Sequence, residues 1–428
     1  MKVLMFGWEF PPHITGGLGT ACYGITKGLT SKGIDVTFVV PKAYGDEDHS
    51  VARIVNASDV NVNIYDPKYI DVMKNVTYVE INSTLIPYAG PAEYEKYYNK
   101  LIRNSVFNNN PIYNTKYSFS GSYNNNLFEE VARYAMVGAQ VAMQYDDFDV
   151  IHAHDWLTYS AGIAAKKISG KPLVCHIHAT EFDRTGENVN TIVYDLEKNG
   201  MQQADMVIAV SNLTANTVIK KYKVNPDKVV TIHNAITTVD KDITKYKKNI
   251  DAKIVTFLGR LTFQKGPEYF IDAAKLILQK DENVHFVMAG TGDMMEKLIK
   301  YVARSGISTK FHFTGFLRGE EVDKMFAMSD VFVMPSVSEP FGLVPLEAMR
   351  LNVPVVISKQ SGVSEVLEHA LKVDFWDVNA MSDSIYALLH YHTLSSMYKK
   401  YGKVEIDNMK WDKVADKIST IYNNLLNN

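Results

Sequence analysis

The 428-residue chain has only two cysteines, Cys22 and Cys175. Neither stands in metal-ligand spacing, and two in this length make no disulfide scaffold. Charge imbalance is also missing. The net charge is −3, which excludes a global electrostatic footprint for nucleic acid but not a local basic patch. Long apolar runs are absent, since no stretch reaches the roughly 18 residues of a membrane helix. The opening MKVLMFGWEFPP carries a short apolar run that Glu9, Pro11 and Pro12 end at once. It predicts a first strand, not a signal peptide. A soluble cytoplasmic protein is the expectation. Hydrophobic residues make up 46% of the chain, enough for ample core, and the length suits two domains better than one.

What is present is alternation of strands and helices. Short buried strands are predicted at 2–7, 35–40, 149–152, 173–176, 206–209 and 229–232, with a helix from about Gly19 to Ser31. The stretch VDKDITKYKKNID, around 240–250, is polar and lacks apolar periodicity, so it reads as a linker. The pattern then restarts, with strands at 254–259, 285–290, 311–315, 331–335 and 354–358 and a helix over 267–279. Such alternation predicts parallel sheets with helical crossovers. The fold class expected is therefore α/β, two Rossmann-like doubly wound domains with a cleft between them. Val414, Ile418, Ile421 and Leu425 form one face of a terminal helix, expected in part to pack on the second domain. Residues 104–126 are rich in Asn, Ser and aromatics. They read as a surface insertion whose Tyr113, Tyr117, Phe119 and Tyr123 could stack on sugar faces, as could Tyr94, Tyr97 and Tyr98 before them.

Four segments carry chemistry. In HITGGLGTACYG (13–24), Gly16 and Gly17 let backbone approach a ligand, and the following helix start favours an anion. It is not a dinucleotide fingerprint, because Cys22 stands where the third glycine is required. In GRLTFQKG (259–266), Arg260 and Lys265 follow a strand end and suit a diphosphate. In SEPFGLVPLE (338–347), Glu339 lies in the loop after a strand. A helix begins near Gly342, with Pro345 in its first turn and Glu347 on it. The N–H groups of Gly342 and Leu343 can hold an anion between the two acids. Finally, VIHAHDWLT (150–158) and HIHATEFDR (176–184) bring His154, Asp155, His178 and Glu181 to a sheet edge. His152 and His176 read as satisfied core histidines, and nothing completes a zinc set, so no metal is expected. Asp147-Phe148-Asp149 spells D-x-D, but at the amino end of a strand, the wrong end for a ligand.

Together these segments resemble the retaining nucleotide-sugar glycosyltransferases of the GT-B fold, in particular the glycogen and starch synthase-like group. The resemblance rests on HITGGLG, HAHDW, the Arg and Lys five apart in GRLTFQKG, and EPFGLVPLE. It implies an acceptor-side domain over 1–245, a nucleotide-sugar domain over 246–405, and a terminal helix over 406–428 crossing back to the first domain. It implies that Gly16 and Gly17 approach the donor and that Arg260 and Lys265 neutralise the leaving diphosphate. Glu339 and His178 would contact the transferred sugar, and Glu347 the ribose. Gly342 and Leu343 would donate backbone N–H bonds, and Asp155 would sit near the acceptor. One departure is that Ile14-Thr15 stand where glycogen synthases carry Lys or Arg.

The implied reaction is transfer of glucose, with retention and without a cofactor. The donor would be ADP-, UDP- or GDP-glucose and the acceptor the non-reducing end of an α-1,4-glucan. Other acceptors remain open: a sugar phosphate, a lipid or a surface polysaccharide. A glycosidase using Glu339 and Glu347, a nucleotide-sugar epimerase and a non-catalytic sugar-binding module are the rival readings. The first leaves Arg260 and Lys265 without a purpose.

Overall fold

A computed structural model describes residues 1–13, 16–63, 114–123, 126–237 and 250–427, with isolated positions at 66, 69, 246 and 248. Tyr94, Tyr97, Tyr98, Tyr113, the Ile14-Thr15 pair and most of the expected linker lie outside the described residues.

The first sheet contains β1 (Lys2–Phe6), β2 (Asp35–Val40), β3 (Arg53–Asn56), β6 (Val150–His154), β7 (Leu173–Ile177), β8 (Met206–Ala209) and β9 (Val229–Thr231). Its order is β3-β2-β1-β6-β7-β8-β9. Between β3 and β6 in the chain, β4 (Val62–Asn63) and β5 (Asn114–Thr115) make a separate antiparallel pair. The second sheet contains β10 (Lys253–Leu258), β11 (Val284–Ala289), β12 (Phe311–Gly315), β13 (Val331–Met334), β14 (Val355–Ser358) and β15 (Leu371–Val373). Its order is β12-β11-β10-β13-β14-β15. Every pairing within both large sheets is parallel. The reason is visible in β6 and β7: VIHAH and LVCHI are buried at every position. Strands covered by helices on both faces read as continuous buried runs rather than alternations.

The helices described in full in the first half are α1 (Gly17–Ser31), α2 (Leu127–Gln144), α3 (Trp156–Ser169), α4 (Glu181–Thr185), α5 (Thr191–Gln203) and α6 (Asn212–Lys221). Those of the second are α7 (Pro267–Leu278), α8 (Met295–Arg304), α9 (Glu320–Met328), α10 (Val344–Arg350), α11 (Val378–His390), α12 (His392–Asp407) and α13 (Trp411–Asn427). Two boundaries differ from the sequence expectation in ways that matter. Strand β6 runs on to His154, so that histidine belongs to the sheet. Helix α10 starts at Val344, because Gly342 has φ +102° and cannot continue a helix.

Strand order reverses between β1 and β6 in one sheet and between β10 and β13 in the other. Open parallel sheets bind ligands at such reversals, outside the carboxyl ends of the strands. The segments that follow the strands there carry Gly16, Gly17 and Asp155 in the first sheet, and Arg260, Lys265 and Glu339 in the second.

Helix α13 packs on the first domain. The buried face of α13 holds Trp411, Val414, Ala415, Ile418, Ile421 and Tyr422. These pack with Cys22, Ile25 and Leu29 of α1 and with Val3 and Met5 of β1. The expected packing on the second domain is thus corrected for this face. Two glycines of α1 make the seat: a Cβ at Gly24 would stand 2.2 Å from the Trp411 ring, and one at Gly28 2.8 Å from the Trp411 carbonyl.

Candidate active site

The turn after β10 is shaped by Gly266. Its φ is +63°, and a Cβ there would meet the Pro335 carbonyl oxygen at 2.2 Å. Only glycine fits both demands. The turn closes a short helical segment, Phe263–Lys265, and aims it at the loop after β13. There Lys265 Nζ donates to Glu339 Oε2 at 2.6 Å. The Ser336 hydroxyl donates to the same oxygen at 3.1 Å. The Glu339 backbone is fixed as well, its N–H donating to the Gln360 carbonyl at 3.0 Å and its carbonyl accepting from Gly362 at 2.8 Å. Glu339 is therefore an ordered, buried carboxylate with a cation already against it. Arg260 stands exposed on the same turn and forms no ion pair among the described residues. Glu347 lies in the first turn of α10, partly buried.

Across the cleft, Gly17 opens α1. A Cβ on it would come within 3.6 Å of Leu343 Cδ1, so the Gly-Gly loop faces the Gly342–Leu343 turn. At the end of β6, Asp155 adopts φ +57°, ψ +169°, an unusual conformation for a residue with a side chain. Its Oδ1 accepts from the His178 N–H at 2.6 Å and, more weakly, from Ala179 at 3.4 Å. Burial pushes the Asp155 carboxyl up to about 6. This carboxylate holds the backbone of the His178 turn. His178 itself is half-buried, its Nε2 lying 3.0 Å from His154 Nδ1. Burial lowers its pKa to about 3, so the ring is neutral.

The HIHATEFDR segment holds residues the sequence reading passed over. Asp183 and Thr180 form a capping box at the start of α4. The free oxygen of Asp183 accepts from the Ser338 hydroxyl at 2.6 Å, which ties the first domain to the residue preceding Glu339. Thr180 followed three residues later by Asp183 was a readable capping signal; its reach across the cleft was not. Glu181 takes Arg184 Nε at 3.0 Å and the Asn190 N–H at 3.1 Å, so it is a structural acid. Arg184 also meets the fully buried Glu197, and burial pushes Glu197 up to about 7. Glu365 of the second domain accepts from the N–H groups of Asn212 and Leu213, both at 2.8 Å, and sits 2.7 Å from His233 Nε2. A carboxylate from one domain thus caps helix α6 of the other. Asp149 accepts from the Lys2 N–H at 2.8 Å, and Asp147 pairs with the Lys2 ammonium. The D-x-D pair fastens the start of β1.

Among the described residues three sets of side chains are close enough to hold a metal ion: Cys22, His154 and His178; His152, His154 and His176; and His13, Asp46 and Glu47. None includes Arg260, Lys265, Glu339 or Glu347. His152 and His176 are buried as expected but not satisfied. Both ring nitrogens of His176 and Nε2 of His152 lack a hydrogen-bond partner, because the neighbouring rings stack face to face instead of meeting edge to edge.

Comparison with known proteins bears on the whole arrangement. Residues 2–231 match the starch synthase catalytic domain family, and residues 238–405 match the glycosyl transferases group 1 family. The chain is a GT-B glycosyltransferase of the glycogen/starch synthase-like family. An uncharacterised glycosyltransferase of Methanocaldococcus jannaschii is 29% identical, over 99% of this chain and 98% of its own. Among solved structures, sucrose-phosphate synthase from Thermosynechococcus elongatus superposes with a TM-score of 0.72 at 17% identity, over 99% of this chain and 98% of that one. The catalytic domain of starch synthase IV from Arabidopsis thaliana, bound to ADP and acarbose, gives 0.69 at 15% identity, over 100% and 99%. These two likenesses bear on fold. No helix among the described residues of the transferase is long and apolar enough to cross a membrane.

Proposed function

We propose that the transferase moves glucose from a nucleoside diphosphate to the non-reducing end of an α-1,4-glucan, with retention at the anomeric carbon. The observation that carries this reading is the meeting of Lys265 and Glu339 at the strand-order reversal of the second sheet. A cation for the departing diphosphate and a carboxylate for the sugar hydroxyls then sit side by side. The starch synthase domain match supports the glucan, as does the starch synthase solved with ADP and acarbose.

The roles follow from charge. As the bond between the anomeric carbon and the phosphate oxygen breaks, negative charge grows on the phosphate and positive charge on the sugar. Arg260 and Lys265 meet the first, helped by the N–H groups of Gly342 and Leu343, and such preorganised donors act without reorganising during the reaction. Glu339 holds sugar hydroxyls and shares Lys265 with the diphosphate. His178 lies against the transferred sugar, and Asp155, which fixes the His178 backbone, sits near the acceptor. Gly16 and Gly17 let the first domain close on the donor, and Glu347 takes the ribose. The acceptor hydroxyl attacks on the face the phosphate leaves, and its proton passes to the departing phosphate oxygen.

The test is a donor panel of ADP-, UDP- and GDP-glucose with glycogen, maltooligosaccharides, fructose 6-phosphate and glucose 6-phosphate. The reading expects incorporation into glucan with an α-configured product. A second reading, transfer to a sugar phosphate, is favoured by Ile14-Thr15 replacing the usual cation and by the likeness to sucrose-phosphate synthase. Label found only in the sugar phosphates would establish it over the first. A changed nucleotide sugar formed without any acceptor would replace both with an epimerase.

A further inference from the structure

Behind the cleft floor, β6, β7 and the residue that follows β7 bring four histidines together. The rings of His152, His154, His176 and His178 stack in a block. Centroids are 4.4 Å apart for His152–His154 and for His176–His178, and 5.2–5.4 Å apart between the two pairs. Buried polar groups are nearly always hydrogen-bonded, and each exception asks for a reason. Here the exceptions cluster. Nε2 of His152, Nε2 of His154 and both nitrogens of His176 are buried without a partner. All three side chains are fully buried.

The partners that do exist are ordered in a telling way. Nδ1 of His152 meets the Tyr422 hydroxyl, and Nδ1 of His154 meets Nε2 of His178 at 3.0 Å. A ligating histidine typically has its second ring nitrogen fixed by such a neighbour, which sets the tautomer and the ring orientation. Two of the three rings thus have one nitrogen held and the other free.

We infer that His152, His154 and His176 form a buried three-histidine site for a divalent transition metal of the zinc type, with a water completing four-coordination, separate from the reacting atoms. Neutral imidazole is the form that ligates, and burial keeps these rings neutral. One nitrogen from each ring lies within 4.8 Å of the others. Nitrogens sharing a tetrahedral zinc are roughly 3.3 Å apart, given bonds of about 2.0–2.1 Å. Uptake therefore closes the nitrogen separations by at most about 1.5 Å, through rotation out of the stack. With Nε2 of His154 on the metal, its Nδ1 carries the proton and donates to His178 Nε2. The ion then fixes the tautomer of a residue in the cleft without touching substrate. The same logic at His152 pins Tyr422 and so helix α13. Since no ligand is exposed, the ion enters during folding.

The full chain is purified from zinc-supplemented cells and its metal content measured. It is then unfolded in denaturant with chelator and refolded with cobalt(II). About one ion per chain is expected, with the intense visible absorption of four-coordinate cobalt. His176→Phe, which preserves the ring stack, should abolish both signals, and His152→Phe serves as a second removal. His13→Ala, at the exposed rival set, should leave both unchanged. Correctly refolded wild-type protein without bound metal or visible bands would overturn the site, and this needs no variant. Loss of the bands in His13→Ala would move the ion to the surface. A thiolate-to-cobalt charge-transfer band that vanishes in Cys22→Ser would assign it to Cys22, His154 and His178 instead.

Discussion

Lys265 Nζ lies 2.6 Å from Glu339 Oε2, joining the turn after one strand to the loop after another. A cation proposed for phosphate is already in contact with a carboxylate proposed for sugar. Lys265→Ala and Arg260→Ala should each lower kcat by about 100- to 1,000-fold, the usual effect of removing one preorganised donor. Donor KM should change less, since the charge they meet develops as the bond breaks. Steady-state kinetics with both variants near wild-type turnover would discard the leaving-group role. Glu339→Gln keeps the shape and frees Lys265, and it should lose kcat while retaining nucleoside diphosphate affinity.

Glu347 occupies the first turn of α10, beside the Gly342–Leu343 turn. If it takes the ribose hydroxyls, Glu347→Ala should weaken nucleoside diphosphate binding by about 10- to 100-fold, the worth of hydrogen bonds to a charged group. Titration calorimetry with ADP, UDP and GDP measures this directly. Unchanged affinity for the preferred nucleotide would remove Glu347 from the donor site.

Trp411 is 8% exposed and lies flat on Gly24. Trp411→Ala should destabilise the protein by about 3–5 kcal/mol, as expected for a buried aromatic truncation that leaves a cavity. Denaturant unfolding would reveal it as a lower midpoint. A change below about 1 kcal/mol would mean that α13 adds little to the first domain's core.

Glu197 offers a pH test independent of the reaction. Its carboxyl is raised from 4.5 to about 7 by burial, which outweighs the neighbouring Arg184 and Tyr222. The native state then holds a proton that the unfolded chain releases between those two values. Stability contributed by the protonated acid is present below pH 4.5 and is lost as pH rises through about 7. Between pH 5 and pH 8, wild-type protein should lose stability relative to Glu197→Gln by on the order of 1–3 kcal/mol. Parallel profiles of the two would contradict the raised value.

Much of this was readable because parallel strands buried on both faces announce themselves as short apolar runs. Asp35–Val40, Met206–Ala209 and Phe311–Gly315 are examples whose bounds agree with the structure. Strand Arg53–Asn56 went unseen, since an edge strand of four residues with an exposed arginine carries little pattern. Helix Leu127–Gln144 was also missed. Its apolar spacing was there to read, since Val131, Tyr134, Ala135, Gly138, Val141 and Ala142 are buried along it. Arg260, Lys265, Glu339 and Glu347 could be placed at strand ends because strand, turn and helix signals adjoin them. The contact of Lys265 with Glu339 spans 74 residues. It depends on sheet order, as do those of Asp183 with Ser338 and Glu365 with α6. His152 and His176 read as satisfied core, because sequence gives their burial but not their orphaned nitrogens.

Helix α13 also bears on how the chain is made. The core beneath α1 closes only when Trp411, Ile418 and Tyr422 reach it, yet these follow the whole second sheet in the chain. While the second domain is being synthesised, the first stands with Gly24, Gly28 and the apolar face of α1 uncovered. A ribosome-bound chain ending before residue 411 should therefore engage chaperones through that face, although all of the first sheet has already emerged.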